Sequence, residues 1–266
     1  MHARGDISYE EFMDMVAASA PSIGHCNTMG TASSMNSIAE ALGMSLTGCA
    51  AVPAPYKERS QMAYDTGLKI VKLVEEDIKP SDILTKKSFE NAIITASALG
   101  ASSNAPPHLI AIAKKLDIDL SLDDWERCGR DIPTLVNLQP SGKYLMEDFY
   151  YAGGVPAVIK HLLDKKLLHS NAITVNGKTI KENNHNAECW NKDVIKDFDS
   201  PLVNNGGIKI LKGNIAPDGA ILKPSAASPE LMQHKGKAVV FESVEEFHDK
   251  IDDPNLDVDE NSILVL

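Results

Sequence analysis

Two kinds of hydrophobic pattern share this chain, and the place where one gives way to the other limits what it can fold into. Up to about Lys166, small and apolar residues recur at three- and four-residue spacing: Ala32, Met35, Ile38, Ala39 and Leu42, then Phe89, Ala92, Ile93 and Ala96, then Leu109, Ile110, Ile112 and Ala113. That is the period of one helix face. From Ala172 onward the apolar residues come in short runs instead: Ala172-Ile173-Thr174-Val175, Ile208-Lys209-Ile210-Leu211, Gly219-Ala220-Ile221-Leu222, Ala238-Val239-Val240-Phe241 and Ser262-Ile263-Leu264-Val265-Leu266. Turn residues separate them, so they read as short strands. The chain is therefore α/β: a helix-rich α/β domain followed, over the last fifty or so residues, by the start of a β-rich one. It stops inside an apolar run, where natural C-termini rarely lie, so it reads as truncated.

Local signals punctuate the helices. Ser8-Tyr9-Glu10-Glu11 fits a capping box ahead of Phe12, Met15 and Val16, which predicts a helix to about Ala20 that Pro21 and Gly24 end. Further helices are expected over residues 27–42 (with Gly43 just past the end), 58–78, 88–99, 108–116, 121–127, 144–152 and 155–166, the last two broken at Gly153-Gly154. Residues 132–138 read as a strand, residues 79–84 as a connector and 183–200 as irregular.

Several function classes are excluded early. The chain has 37 acidic and 26 basic residues, a net charge of -11, and no Lys/Arg cluster beside aromatics, so nucleic acid is not an expected partner. No run of 18 apolar residues is present and the first residues are polar, so neither a membrane span nor a targeting peptide is expected. Four cysteines lie far apart without CxxC spacing, which points to a reducing, cytoplasmic setting.

One of them stands out. In Gly24-His25-Cys26-Asn27-Thr28-Met29-Gly30-Thr31-Ala32-Ser33 a cysteine sits among small polar residues just ahead of a helical pattern. A helix N-terminus favours thiolate, which serves as nucleophile or metal ligand; the plain alternative is a structural thiol. His25 suggests an activated nucleophile, but sequence neighbours seldom point at each other, and a group beside a metal site or a turn residue fits it better. Asn27 and Thr28 suit either hydrogen bonds to a bound group or caps. Ser102, Ser103 and Asn104 precede a helix, as an anion-binding turn or as caps. His108 follows Pro106-Pro107 and reads as a satisfied, partly buried histidine that has the option of facing a pocket. Cys49, Cys128 and Cys189 read as packed or surface thiols.

The Cys26 run, Gly100-Ala101-Ser102-Ser103-Asn104-Ala105-Pro106-Pro107-His108-Leu109, Pro140-Ser141-Gly142-Lys143-Tyr144-Leu145-Met146-Glu147-Asp148 and Gly213-Asn214-Ile215-Ala216-Pro217-Asp218-Gly219-Ala220, taken in order, resemble the dihydroxy-acid and sugar-acid dehydratase family, the group that includes 6-phosphogluconate dehydratase. Ala101 and Ser103 depart from that family's Gly-Gly-Ser-Thr-Asn-Ala loop. The resemblance divides the chain into residues 1–213, the central and C-terminal part of a cluster-binding α/β domain, and 214–266, the beginning of a barrel-like domain. It implies a hydro-lyase that takes water from a 2,3-dihydroxy acid to give a 2-keto-3-deoxy acid, using an iron–sulfur cluster, [2Fe–2S] favoured and [4Fe–4S] possible, and Mg²⁺. Cys26 is the one cluster (Fe) ligand it places here, with His25, Asn27, Thr28, Ser102, Ser103, Asn104 and His108 as surrounding or substrate-pocket residues. The other two cluster cysteines and a Mg²⁺-binding carboxylate and lysine region are implied upstream of Met1, and the general-base serine and a further acidic metal ligand beyond Leu266. The form of the Cys26 run is that of sugar-acid members, which favours an aldonate. A dihydroxy-acid dehydratase of branched-chain amino-acid biosynthesis, and an inactive fragment or sugar-acid-binding module, are the alternatives. A small-molecule substrate and a homo-oligomer at full length are expected; the isolated chain is expected to be inactive.

Overall fold

The computed structural model describes residues 1–20 and 22–266, so the expected break at Pro21 lies outside the described residues. The chain forms two compact units, Met1–Ala226 and Ala227–Leu266.

In the first unit α1 (Tyr9–Ser19) starts where the capping box puts it. Ser8 Oγ accepts from the Glu11 amide at 3.1 Å, and the Glu11 carboxylate accepts from the Ser8 amide at 2.8 Å. Its apolar face is uncovered: Phe12, Met13, Met15 and Val16 are all exposed. Next come α2 (Thr31–Ala41), α3 (Lys57–Glu75), α4 (Pro80–Ile83) and α5 (Lys86–Leu99). The centre of the unit is α5. Thr85 caps it, Gly100 ends it in the left-handed region at φ 62°, and it is buried nearly all round, with Phe89, Ala92, Ile93 and Ala96 against α2 and α7 and Ile94, Ala98 and Leu99 towards α9. Then follow α6 (Ala105–Lys114), α7 (Leu122–Gly129), α8 (Met146–Ala152), α9 (Gly154–Asp164) and the short α10 (Ile180–Asn184). Two hydrophobic clusters result, one of α2, α5, α6 and α7, the other of α8, α9 and residues 132–138.

The sequence reading needs correction at four places. Residues 132–138 are buried and extended but make no ladder: Thr134, Val136 and Leu138 bridge three different segments, at Val203, Ile195 and Tyr144. Residues 172–175 make a single bridge, Ile173 to Thr179, across the turn at Gly177. The connector over 79–84 contains α4, with Pro80 in its first turn, where a missing N–H costs nothing. For the same reason α6 begins at Ala105, not at His108, and takes Pro106 and Pro107 into its first turn. The unit closes with a two-stranded antiparallel hairpin of β1 (Lys209–Leu211) and β2 (Ala220–Leu222), register Ile210 to Ile221.

The second unit carries β3 (Ala238–Val240), α11 (Val244–Lys250) and β4 (Ile263–Val265). β3 and β4 pair in parallel, Val239 opposite Leu264, and Phe241 packs edge-on against Phe247. The chain is thus helix-rich, with small sheets toward its C-terminal part and no closed barrel among the described residues. No helix among them is long and apolar enough to cross a membrane.

Candidate active-site cleft around Cys26

The segment before α2 is a tight turn, not a helix start. Gly30 caps α2, so Cys26 lies four residues ahead of the cap and is exposed. It lies in the turn ahead of α2, as expected, but the helix begins at Thr31 and not at residue 27, so the geometry of the turn and not the helix terminus decides its role. Gly24 adopts φ 111°, where L side chains are strained, and a Cβ there would sit 2.6 Å from Ala54 Cβ. The turn therefore lies directly against the loop over residues 50–55. Between them opens a cleft of about 340 Å³ lined by His25, Cys26, Asn27, Tyr56, Arg59 and Glu147, with an apolar wall over residues 50–55.

Each neighbour of Cys26 has a defined job. His25 Nδ1 is 3.0 Å from the Cys26 carbonyl and its Nε2 is 3.1 Å from Asn36 Nδ2, so the network assigns the proton to Nδ1. Both ring nitrogens are occupied, and neither contact is to the thiol; the arrangement is not a Cys–His nucleophile. Asn27 is a cap, but for α8: its carbonyl accepts from the Met146 amide at 3.1 Å and its side-chain oxygen from the Glu147 amide at 3.0 Å. Thr28 Oγ1 lies 3.5 Å from Cys26 Sγ, and the Thr28 carbonyl accepts from Ser33 Oγ at 2.6 Å.

The second wall is held by a buried acid. Glu40 of α2 accepts from the amides of Gly48 at 2.6 Å and Ala50 at 2.9 Å. Burial outweighs those two donors and pushes its carboxyl up to about 7. From the start of α3, Tyr56 donates to Glu147 and receives a hydrogen bond from Tyr151 at 3.0 Å. The Glu147 carboxylate raises the Tyr56 phenol above its ordinary range. Arg59 donates to Cys49 Sγ at 3.3 Å and to the Val52 carbonyl.

The loop over residues 100–104 is a brace beside this cleft and not part of its lining. Ser34 Oγ accepts from the Ser102 amide at 2.8 Å, Thr31 Oγ1 lies 3.0 Å from Ser102 Oγ, and Asn104 Nδ2 donates to Thr31 Oγ1 at 2.9 Å. Half-buried Lys223 adds a bond to the Gly100 carbonyl at 2.8 Å, and burial lowers its pKa. Ser103 and His108 are exposed, so His108 is not the partly buried residue expected. The sequence reading missed Tyr56, Arg59, Glu147, Asn36 and Glu40. The first two looked like an ordinary helix start, and no spacing links any of them to Cys26.

As for a metal or cluster, Cys26 presents one thiol to an open cleft, which fits one ligand position. No group of three or more His, Cys, Asp or Glu that would complete a site occurs among the described residues. Cys49, Cys128 and Cys189 are free thiols outside the cleft lining, the last two held protonated more firmly by burial.

Residues 1–183 match the family model described as dihydroxy-acid/6-phosphogluconate dehydratase N-terminal, and residues 193–266 the corresponding C-terminal model. The chain is 55% identical over 262 residues to an L-arabinonate dehydratase of Rhizobium leguminosarum, covering 98% of this chain and 45% of that protein. It is 50% identical over 275 residues to a D-xylonate dehydratase of Caulobacter vibrioides, covering 99% and 46%. Against a dihydroxy-acid dehydratase of Acetivibrio thermocellus it is 47% identical over 239 residues, covering 90% and 43%. The chain thus spans under half the length of these curated relatives.

Proposed function

The chain belongs to the dihydroxy-acid/6-phosphogluconate dehydratase family, and on that premise we propose that it supplies one wall of the active site of a cytoplasmic, homo-oligomeric sugar-acid hydro-lyase. The reaction removes the C2 proton and the C3 hydroxyl of an aldonate as water; the enol left behind tautomerises to the 2-keto-3-deoxy acid. What favours a sugar acid is that the relatives at 55% and 50% identity are named for arabinonate and xylonate, while the dihydroxy-acid dehydratase of Acetivibrio thermocellus is 47% identical. The branched-chain dihydroxy-acid reading is the second choice.

The observation that carries the proposal is the exposed Cys26 thiol lining the cleft, on a turn where its two sequence neighbours, His25 and Asn27, are bonded elsewhere. Cys26 would hold one position of an iron–sulfur cluster, whose normal ligands are thiolates. Such a cluster supplies a Lewis-acidic iron that eases departure of hydroxide, with Mg²⁺ for the substrate oxygens. This chain's own residues do the rest of what it contributes: Asn27 locks the turn to α8, Glu40 fixes the apolar wall, and that wall limits water around the reacting carbons. The other ligands and the base come from outside the chain, so the isolated chain is expected not to turn over.

The test is made on the longest polypeptide that the reading frame encodes, reconstituted anaerobically with iron, sulfide and Mg²⁺. Cys26→Ser is expected to abolish both the visible thiolate-to-iron absorption and keto-acid release from D-xylonate and L-arabinonate, with the thermal midpoint of the cluster-free protein unchanged. Retention of the absorption in that variant removes Cys26 from the ligand set. A cluster-loaded wild type that forms no keto acid from any 2,3-dihydroxy acid refutes the dehydratase reading.

A further inference from the structure

Two opposite charges line the Cys26 cleft without touching. Arg59 stands in the first turn of α3, where a cation opposes the helix dipole, yet among the described residues it has no carboxylate within ion-pair distance. Its two bonds go to neutral acceptors, Cys49 Sγ and the Val52 carbonyl, which leave its charge uncompensated and part of its donor fork free. Glu147 uses one oxygen to accept from Tyr56; its other oxygen has no partner among the described residues. Its backbone is pinned by Asn27, next to Cys26. A half-buried cation and a half-buried carboxylate on one cleft normally close on each other; here both line the same cleft of about 340 Å³ and make no ion pair.

We infer that Arg59 and Glu147 form a subsite for polyhydroxylated monocarboxylates, Arg59 taking the ligand's carboxylate and the free Glu147 oxygen accepting from a hydroxyl. The assignment rests on the sugar-acid reading above and adds the residues that would enforce it. Complementarity follows from charge. A planar guanidinium binds carboxylate through paired charge-assisted bonds. A neutral polyol forfeits that contact. A second carboxylate on the ligand meets Glu147 and is repelled. An alkyl-substituted dihydroxy acid places hydrocarbon against Glu147 and leaves a desolvated carboxylate oxygen unpaired, the arrangement by which polar sites reject apolar analogues. Tyr56 holds one oxygen of the Glu147 side chain and is itself held by Tyr151, which restrains the position of the free oxygen.

Binding to the full 266-residue chain is measured calorimetrically with three probes: D-xylonate, xylitol and 2,3-dihydroxy-3-methylbutanoate. Wild type is expected to prefer D-xylonate over each of the others by about tenfold or more. Arg59→Gln should lose D-xylonate affinity by about tenfold or more, with Arg59→Lys recovering part of it. Glu147→Leu should erase the preference for D-xylonate over the methylbutanoate, and Glu147→Gln, which keeps an acceptor, should retain most of it. Thermal midpoints within the wild-type range show that the variants fold. Equal D-xylonate affinity in wild type and Arg59→Gln overturns the assignment, and so does absence of D-xylonate binding to the wild type. The dehydratase reading is judged separately, by cluster absorption and keto-acid release, and survives either result.

Discussion

Glu40→Gln probes the strut behind the cleft wall, and its effect is set by pH. Glu40 is 5% exposed and meets two amides but no cation. Its carboxyl titrates at about 7 in the folded chain, against 4.5 for an ordinary glutamate. Between those values the native state holds a proton that the unfolded chain has released. Stability contributed by this group is therefore present in acid and is lost as pH rises through the folded value, the reverse of a salt-bridged carboxylate. At about 1.4 kcal/mol per pH unit the loss amounts to about 3 kcal/mol between pH 4.5 and 8. Glutamine has no such titration. Its amide oxygen satisfies one of the two backbone donors and its NH₂ opposes the other, a roughly constant cost of about 1–3 kcal/mol. Urea midpoints across pH 4.5–8 should show wild type clearly ahead at pH 4.5, with the gap shrinking by about 3 kcal/mol and closing or reversing by pH 8. All other titrating groups are common to both proteins and cancel in the difference. Parallel stability profiles for the two proteins over this range would refute the reasoning.

Gly24→Ala combines a positive φ of 111° with a Cβ 2.6 Å from Ala54, whereas Gly48→Ala meets the φ penalty alone, at 83° with nothing within 4 Å. In urea titrations the first should lose about 1–3 kcal/mol and the second about 1 kcal/mol or less, and equal losses would mean that the turn and the wall do not press on each other. Phe89→Ala empties the centre of α5, where the ring is fully buried, and should cost about 3–5 kcal/mol; a thermal midpoint within a degree of wild type would remove α5 from the core.

What the sequence made legible is what a few neighbouring residues settle among themselves. The capping box at Ser8 and Glu11 closes within four residues, so the start of α1 could be read directly. The Gly153 break between α8 and α9 is likewise local, a positive φ that glycine alone takes without strain. The strand expected over 132–138 was misread for the opposite reason. Its residues have the apolar composition of a buried strand, but their amides are claimed by three separate segments, and a ladder needs one continuous partner. The Cys26 run shows both cases side by side. Its cysteine was found from a short motif, because the thiol's chemistry is a property of its residue type. Its asparagine was expected to serve its own helix or a bound group, and instead caps α8, whose first turn is 120 residues away. Asn27's two long-range bonds decide what faces the thiol: they bring Glu147 to the cleft, while the close approach of Gly24 to Ala54 brings Tyr56 and Arg59 with the opposite wall. The two charges that would choose a substrate thus come from two segments, α3 and α8, joined only by closure of the fold, and no spacing along the chain marks them.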